Sequence, residues 1–110
     1  MAMNDAYAIP EPKRADIDRL AGPTIVEFGS PLCGYCRAVQ PLLASALAGH
    51  PEVRHIKIAD ASGCPLGRSF DIKLWPTLVF LRDGREIARV VRPGEASTID
   101  SALARIGISG

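Results

Sequence analysis

The sequence predicts one α/β domain with a mixed central sheet of about four strands and helices on both faces. Two observations lead to this fold class. Along the 110 residues, short apolar runs alternate with segments whose apolar residues recur every three or four positions, as in alternating strands and helices. The last two runs are separated only by Arg82-Asp83-Gly84-Arg85, and Asp-Gly is typical of a hairpin. Strands joined through a helix are parallel and hairpin strands are antiparallel, so the sheet is predicted to be mixed.

The first half of the chain is predicted to hold two helices and two strands behind an N-terminal lead-in. Residues 1–13 contain Pro10 and Pro12, and we expect them to be extended or partly mobile, with the domain proper at residues 14–110. Pro41 lies inside the second helix and predicts a kink there, because proline lacks the N–H that a helix uses. The predicted elements are the helix Arg14 to Leu20, the strand Thr24 to Phe28, the helix Arg37 to Leu47 and the strand Val53 to Ala59.

The second half is predicted to hold the hairpin and the closing helix. A loop with one or two helical turns covers Cys64 to Phe70. The strands Thr77 to Leu81 and Glu86 to Val91 follow as the two arms of the hairpin. The segment Glu95 to Ile106 closes the chain as a helix, because its apolar residues recur at helical spacing.

The segment between the first strand and the second helix contains Cys33-Gly34-Tyr35-Cys36. Two thiols at this spacing are close enough to form a disulfide. Cys33 lies where the unpaired N–H groups and the positive end of the helix dipole favour a thiolate over a thiol. We therefore interpret the pair as a redox couple, with Cys33 as the nucleophile and Cys36, one helical turn deeper, as the resolving thiol.

Composition and charge exclude several other classes of protein. The 13 Lys and Arg residues nearly balance the 12 Asp and Glu residues, so there is no electrostatic case for nucleic acid or an anionic membrane. The longest apolar runs fall short of the ~18 residues needed to span a bilayer, and residues 1–11 lack the pattern of a secretory signal. Three cysteines, two of them in a C-x-x-C, favour a working thiol pair over a structural bridge, so we expect a cytoplasmic protein.

Several residues also allow a structural interpretation. The C-x-x-C could be half of a zinc site, but Cys64, His50 and His55 lie on other elements and show no second paired spacing. The two histidines are therefore interpreted as surface residues without a role, and Cys64 as a partly buried small residue. Trp75 could equally be a core residue or the rim of a substrate groove.

With this layout the sequence resembles the thioredoxin superfamily over roughly residues 15–106. A lone C-x-x-C is a weak signal, but several markers at the family's separations are specific, and together they imply a thioredoxin-like fold. These markers are Cys33-x-x-Cys36 after a strand that ends at Phe28, Pro41 five residues beyond the second cysteine, Trp75-Pro76-Thr77 at the penultimate strand, and Asp83-Gly84 at the hairpin turn.

The resemblance also implies roles for individual residues. Glu27 occupies the position of the buried acid that takes the proton of Cys36, and Pro76 that of a cis-proline beside the disulfide. A cis-proline there would let the neighbouring backbone pair with an extended substrate. The resemblance implies no metal and no organic cofactor. The residues expected to contact substrate are Gly34, Tyr35, Trp75 and Thr77.

The sequence departs from thioredoxins next to the cysteines. Gly29 and Leu32 stand where thioredoxins carry two tryptophans, and Gly-Tyr replaces the Gly-Pro dipeptide between the thiols. Arg92-Pro93 replaces a small glycine-containing loop through which thioredoxins contact partners. We expect this last change to obstruct the usual flat docking surface.

These observations predict a monomeric, cytoplasmic thiol–disulfide oxidoreductase that reduces or exchanges protein disulfides through Cys33 and Cys36. Its electron donor is expected to be an unidentified reductase or glutathione. Two alternatives remain open. One is a glutaredoxin-like protein that reduces glutathione mixed disulfides, because glutaredoxins also carry a tyrosine between their two cysteines, as Tyr35 does here. The other is a thioredoxin-fold adaptor or chaperone that acts by binding. No nucleic acid or membrane partner is expected.

Overall fold

The computed structural model describes residue 3 and residues 6–107, and within them the chain forms four helices and four strands. This order confirms the predicted one, although α1 ends earlier and α2 begins earlier than predicted. The helices are α1 (Arg14–Asp18), α2 (Gly34–Ala48), α3 (Pro65–Ser69) and α4 (Ala96–Ile106). The strands are β1 (Pro23–Gly29), β2 (Arg54–Ala59), β3 (Thr77–Arg82) and β4 (Arg85–Val91).

The four strands form one sheet in the order β2-β1-β3-β4. β1 pairs parallel with β2 on one side and antiparallel with β3 on the other, and β3 pairs antiparallel with β4. Helix α2 provides the crossover that two parallel strands require. The predicted mixed sheet is therefore confirmed, and its interior strand β1 ends next to the cysteine segment.

The hairpin between β3 and β4 turns at Asp83 and Gly84, whose φ angles of 52° and 80° both lie in the left-handed region. A two-residue turn with positive φ at both positions matches the twist of paired strands, which is why Asp-Gly predicts it. A Cβ at Gly84 would collide with the carbonyl of Asp18, so the chain after α1 packs where only glycine fits.

Alternate residues of β1 and β3 point to opposite faces of the sheet. On one face, Ile25, Leu78 and Phe80 pack against α2 and α4. On the other face, Val26 and Phe28 pack against α1 and α3. The predicted placement of helices on both faces is confirmed. The cysteine segment follows directly after the end of β1 and leads into α2.

Part of the N-terminal lead-in runs along β2. Tyr7 forms an isolated parallel bridge with Lys57, and the Ala8 N–H donates to the Lys57 carbonyl over 2.8 Å. Residues 1, 2, 4 and 5 of the lead-in and residues 108–110 of the predicted domain lie outside the described residues. Within the described part of the chain, no helix has the length and apolar character needed to cross a membrane.

Candidate active site

The two thiols of the C-x-x-C lie at the N-terminus of α2, as free cysteines. Cys33 is the N-cap residue with an extended backbone, and its Sγ accepts a hydrogen bond from the Cys36 N–H over 3.2 Å. A serine-like cap of this kind satisfies one of the unpaired N–H groups of the first turn. Cys33 is partly exposed, whereas Cys36 lies one turn inside and is only 4 % exposed.

The two thiols differ in acidity. Burial would raise the pKa of Cys33, but hydrogen bonds from the Cys36 thiol and from the Cys36 and Tyr35 N–H groups, with the charge of Arg92, lower that pKa below its ordinary value. Burial raises the pKa of Cys36 to about 12, and the hydrogen bond to Cys33 and the charges of Cys33 and Glu27 act in the same direction. Cys33 therefore ionises first and Cys36 keeps its proton at neutral pH.

Gly29, at the end of β1, makes room for the buried thiol. A Cβ built on Gly29 would lie 2.8 Å from the Cys36 Sγ, closer than such atoms approach one another. The absence of a side chain at this position is therefore a packing requirement of this site. Trp75, in the segment before β3, contacts the site through its backbone carbonyl.

The backbone carbonyl of Trp75 connects Cys33 with Arg92, which lies in the loop after β4. The Cys33 thiol donates to the Trp75 carbonyl over 3.8 Å, and the Arg92 Nε donates to the same oxygen over 2.8 Å. The Arg92 guanidinium also lies over the Tyr35 ring, 4.1 Å from its centroid. Tyr35 is 61 % exposed, so this stacked pair stands at the surface beside Cys33.

The segment around Pro76 is fixed by its neighbours. The Trp75–Pro76 peptide bond is cis, Pro76 is buried and Trp75 is partly buried. The Trp75 indole N–H donates to the Asp60 Oδ2 over 2.9 Å, which makes Trp75 neither a plain core residue nor a free rim. Thr77 is only 1 % exposed, and its hydroxyl donates to the Leu74 carbonyl over 2.6 Å, so its side chain does not face solvent.

Glu27 lies beneath the thiols on the α2 face of β1 and is 1 % exposed. Its Oε2 accepts from the Gln40 amide over 2.8 Å, and the same amide nitrogen donates to the Cys36 carbonyl over 2.8 Å. Its Oε1 lies 2.9 Å from the His55 Nε2. Glu27 is therefore a buried residue and does not face water.

The prediction that His55 is a surface histidine without a role is wrong. His55 is 3 % exposed and bonds to Glu27, because it lies in β2 on the face that packs against α2. His50, in contrast, is partly exposed and pairs with Asp100, its Nε2 lying 3.0 Å from the carboxylate oxygen. The parallel pairing of β1 and β2 explains this difference, since it places His55 beside Ile25 in the sheet, whereas His50 precedes β2.

An open cleft of about 220 Å³ connects Cys36 with solvent. Its walls include Tyr7 of the lead-in, Gln40 of α2 and Lys57 of β2. The Lys57 ammonium lies 4.9 Å from the centroid of the Tyr7 ring and 3.4 Å from the Gln40 Oε1. Cys36 therefore borders an open cleft together with Gln40, the residue that bonds to Glu27.

The structure brings together Cys33, Cys36 and Trp75, and places Glu27 below them through Gln40. Within the described residues, no group of three or more His, Cys, Asp or Glu side chains is arranged to hold a metal ion. Cys64 caps α3 as a free thiol. Sequence reasoning missed three residues of the site, namely His55, Gln40 and Asp60. The helical spacing of Gln40 from Cys36 could have indicated one of them. Arg92 was predicted only as an obstruction to docking and not as a residue bonded to the Trp75 carbonyl.

Comparisons with known proteins point to one family. A family model described as Thioredoxin matches residues 13–105. The thioredoxin of Chlamydia pneumoniae is 34 % identical over 71 residues, which cover 64 % of this chain and 70 % of that protein. Thioredoxin H-type 1 of Nicotiana tabacum is 33 % identical over 67 residues, 61 % of this chain and 53 % of that protein, so the chain spans about half of the tobacco protein.

Among solved structures, thioredoxin 2 from Pseudomonas aeruginosa PAO1 in its reduced form superimposes with a TM-score of 0.78 and 57 % sequence identity. The match covers 89 % of this chain and 94 % of that chain. Similarity therefore extends over nearly the whole fold, including the strands, α2 and the cysteine segment described above. It does not favour the glutaredoxin-like or adaptor alternatives.

Proposed function

The chain belongs to the thioredoxin family of thiol–disulfide oxidoreductases, and we propose that it reduces disulfides of other proteins with Cys33 as nucleophile and Cys36 as resolving thiol. One observation carries the assignment of the two thiols. Cys33 caps the helix at the surface with a lowered pKa, whereas the pKa of the buried Cys36 is raised to about 12. The thiolate is the nucleophile in thiol–disulfide exchange, so attack begins at Cys33.

The reaction proceeds in two exchanges. The Cys33 thiolate attacks one sulfur of the substrate disulfide, forms a mixed disulfide and releases the other substrate sulfur as a thiolate, which takes up a proton. Cys36 then loses its proton and attacks the Cys33 sulfur, which releases the second substrate thiolate. The substrate gains two electrons and two protons, and the protein is left with a Cys33–Cys36 disulfide.

The second exchange requires a group that accepts the proton of Cys36, and we assign this role to Glu27. A thiol whose pKa is about 12 does not ionise at neutral pH without help. Glu27 is the buried carboxylate of this network, and Gln40 spans from its Oε2 to the Cys36 carbonyl. His55 holds the other carboxylate oxygen, and the open cleft that borders Cys36 and Gln40 offers the proton a route to solvent.

Exposed apolar side chains around Cys33 support a protein as the substrate. Leu32 is 90 % exposed, and Leu74 and Val91 are about half as exposed. Such side chains beside a nucleophile are typical of a surface that docks another protein. In this proposal Gly34 and Tyr35 border the docking surface, and buried Pro76 supports its base.

We assign less direct roles to two of the predicted contact residues. Trp75 presents its carbonyl at the reacting thiol while Asp60 holds its indole. Thr77 acts from the interior, where its hydroxyl holds the Leu74 carbonyl. We further propose a reductase as electron donor, as thioredoxins in general use, and a monomer in the cytoplasm, where a reducing environment suits the unpaired thiol of Cys64.

Trapping of mixed disulfides tests the proposal. Cys36→Ser should form a stable covalent adduct with a disulfide-containing protein such as insulin, because the nucleophile remains while the resolving thiol is gone. Cys33→Ser should form none. The trapping rate of Cys36→Ser should rise with pH through a midpoint below about 8.5, the ordinary thiol pKa, because a lowered pKa keeps Cys33 ionised at lower pH.

Cys64→Ser is the matched control, since it removes a thiol that lies outside the pair, and it should reduce insulin as the parent does. Equal trapping by Cys33→Ser and Cys36→Ser, or by neither, would contradict the assignment. Loss of insulin reduction in Cys64→Ser would also count against it.

A further inference from the structure

We propose that Arg92 binds a carboxylate next to the reacting disulfide, so that the protein prefers substrates with an acidic residue beside the target cysteine. This inference rests on the proposed reduction of protein disulfides and names the class of substrate that the same site favours. Three observations support it: the hydrogen bonds and the ring contact that fix Arg92, the charge of Arg92, and the Trp75 carbonyl oxygen that both Arg92 and Cys33 contact.

The backbone and the side chain of Arg92 are fixed by separate contacts. The Arg92 N–H donates to the Pro76 carbonyl over 3.0 Å, and its Nε donates to the Trp75 carbonyl over 2.8 Å. The guanidinium plane is supported by the ring of Tyr35, a cation–π contact. A side chain held in this way loses little freedom when it binds a ligand, so its donors are preorganised.

The backbone of Arg92 adopts an unfavourable conformation to reach this position. Its φ of 49° lies in the left-handed region, which side chains other than glycine, asparagine and aspartate rarely occupy. Such positions persist where the surroundings demand them, and they cluster at functional sites. A glycine would serve a simple turn here, so the arginine side chain itself has a purpose.

The charge of Arg92 is not neutralised within the described residues. Arg89 of the same strand region places two nitrogens on the two carboxylate oxygens of Glu86, at 2.6 and 2.8 Å. Arg92 forms no ion pair, and the described residues offer its terminal nitrogens no hydrogen-bond acceptor. These N–H donors stand at the surface in the planar arrangement that matches a carboxylate.

The position of this cation restricts what it can bind. Because Cys33 and Arg92 both contact the Trp75 carbonyl, a disulfide that reaches Cys33 brings its neighbouring residues to the guanidinium. The carboxylate of Asp60 lies behind the Trp75 indole and accepts its N–H, so it does not occupy the arginine. Arg37, whose guanidinium lies near Gly34, adds a second cation without an ion pair among the described residues. The surroundings of Cys33 therefore complement an acidic substrate segment.

Matched peptides test this preference. Three disulfide-linked peptides would differ only in the residue beside the cysteine, which is Glu, Gln or Lys, and kcat/KM for their reduction would be measured. We expect the Glu peptide to be about fivefold better than the Gln peptide and the Lys peptide to be the poorest, because exposed ion pairs contribute modestly. The ratio of kcat/KM between the Glu and Lys peptides should fall towards one in 1 M salt, where the Debye length is about 3 Å and charges are screened.

Arg92→Met keeps the aliphatic stem and removes the charge, so the Glu-to-Lys ratio should fall close to one. Arg85→Met is the matched control, because it removes the same charge at the hairpin end of β4 and should keep the parental ratio. Equal reduction of all three peptides by the parent protein would overturn the inference while leaving the proposed function intact. A ratio that survives Arg92→Met or 1 M salt would overturn it as well. Failure to reduce any of the peptides would instead contradict the proposed function.

Discussion

The two faces of the sheet bury different kinds of polar side chain. On the face that packs against α1 and α3, the buried polar residues are the uncharged threonines Thr24 and Thr77. On the face that packs against α2 and α4, they are Glu27 and His55, which bond to each other, and Gln40 connects Glu27 with the Cys36 carbonyl. An apolar interior gains free energy on burial, whereas a buried titratable group costs free energy unless it is hydrogen-bonded. Both faces therefore contribute apolar burial, but the charged or titratable residues of the sheet that are buried as whole residues, Glu27 and His55, lie on the α2 and α4 side of β1.

The largest effect on stability is expected from the fully buried aromatic residues, one on each face of the sheet. Phe28→Ala should lower the free energy of unfolding by about 3–5 kcal/mol, because Phe28 is fully buried and its ring lies 5.5 Å from that of Phe70. Urea denaturation measures this loss, and the pH dependence of Cys33 alkylation in the folded protein should stay unchanged. Phe80→Ala, equally buried on the opposite face, should cost a similar amount. A loss below about 1 kcal/mol in Phe28→Ala would show that the packing of this ring contributes little to stability.

A smaller effect on stability, but a large one on catalysis, is expected from the buried pair. Glu27→Leu or His55→Leu alone should cost about 1–3 kcal/mol, because each leaves a buried polar partner without its hydrogen bond. The double variant should be closer to the parent in stability, since both polar groups are gone. Its release of mixed disulfides should nevertheless slow by about 100-fold, the size of a general-base contribution.

The readouts for this pair are urea denaturation and the rate at which insulin adducts resolve. Full catalytic speed in the double variant would remove Glu27 from the mechanism. A double variant less stable than either single one would show that the pair contributes more than its hydrogen bond.

The smallest effect is expected at the end of β1, where the two sides meet the thiols. Gly29→Ala should cost about 1 kcal/mol, because the added Cβ would lie 2.8 Å from the Cys36 Sγ and the thiol would have to shift. Alkylation of Cys33 should be affected less than the resolution step, which depends on the position of Cys36. Gly94→Ala, where an added Cβ meets nothing within 4 Å, is the control and should change neither property. Identical behaviour of the two variants would show that Gly29 is not required by packing.

The fold could be predicted from the sequence because its signals are local. Apolar periodicity, the Asp83-Gly84 turn and the cysteine spacing each depend on neighbouring residues, and they identified the eight elements in their order. The burial of His55 depends on the pairing of β2 with β1, which brings together residues 28 positions apart. The role of Arg92 depends on a left-handed turn that residue type does not indicate. Contacts across elements therefore escaped a local analysis.

The single indole of the chain has a practical consequence. Trp75 is anchored by Asp60 through its ring, while its backbone carbonyl accepts from the Cys33 thiol. In a protein with several tryptophans, emission averages over the whole interior. Here the tryptophan emission comes from a single residue, one that is hydrogen-bonded to Cys33 through its backbone, so intrinsic fluorescence reports on this residue without an attached dye.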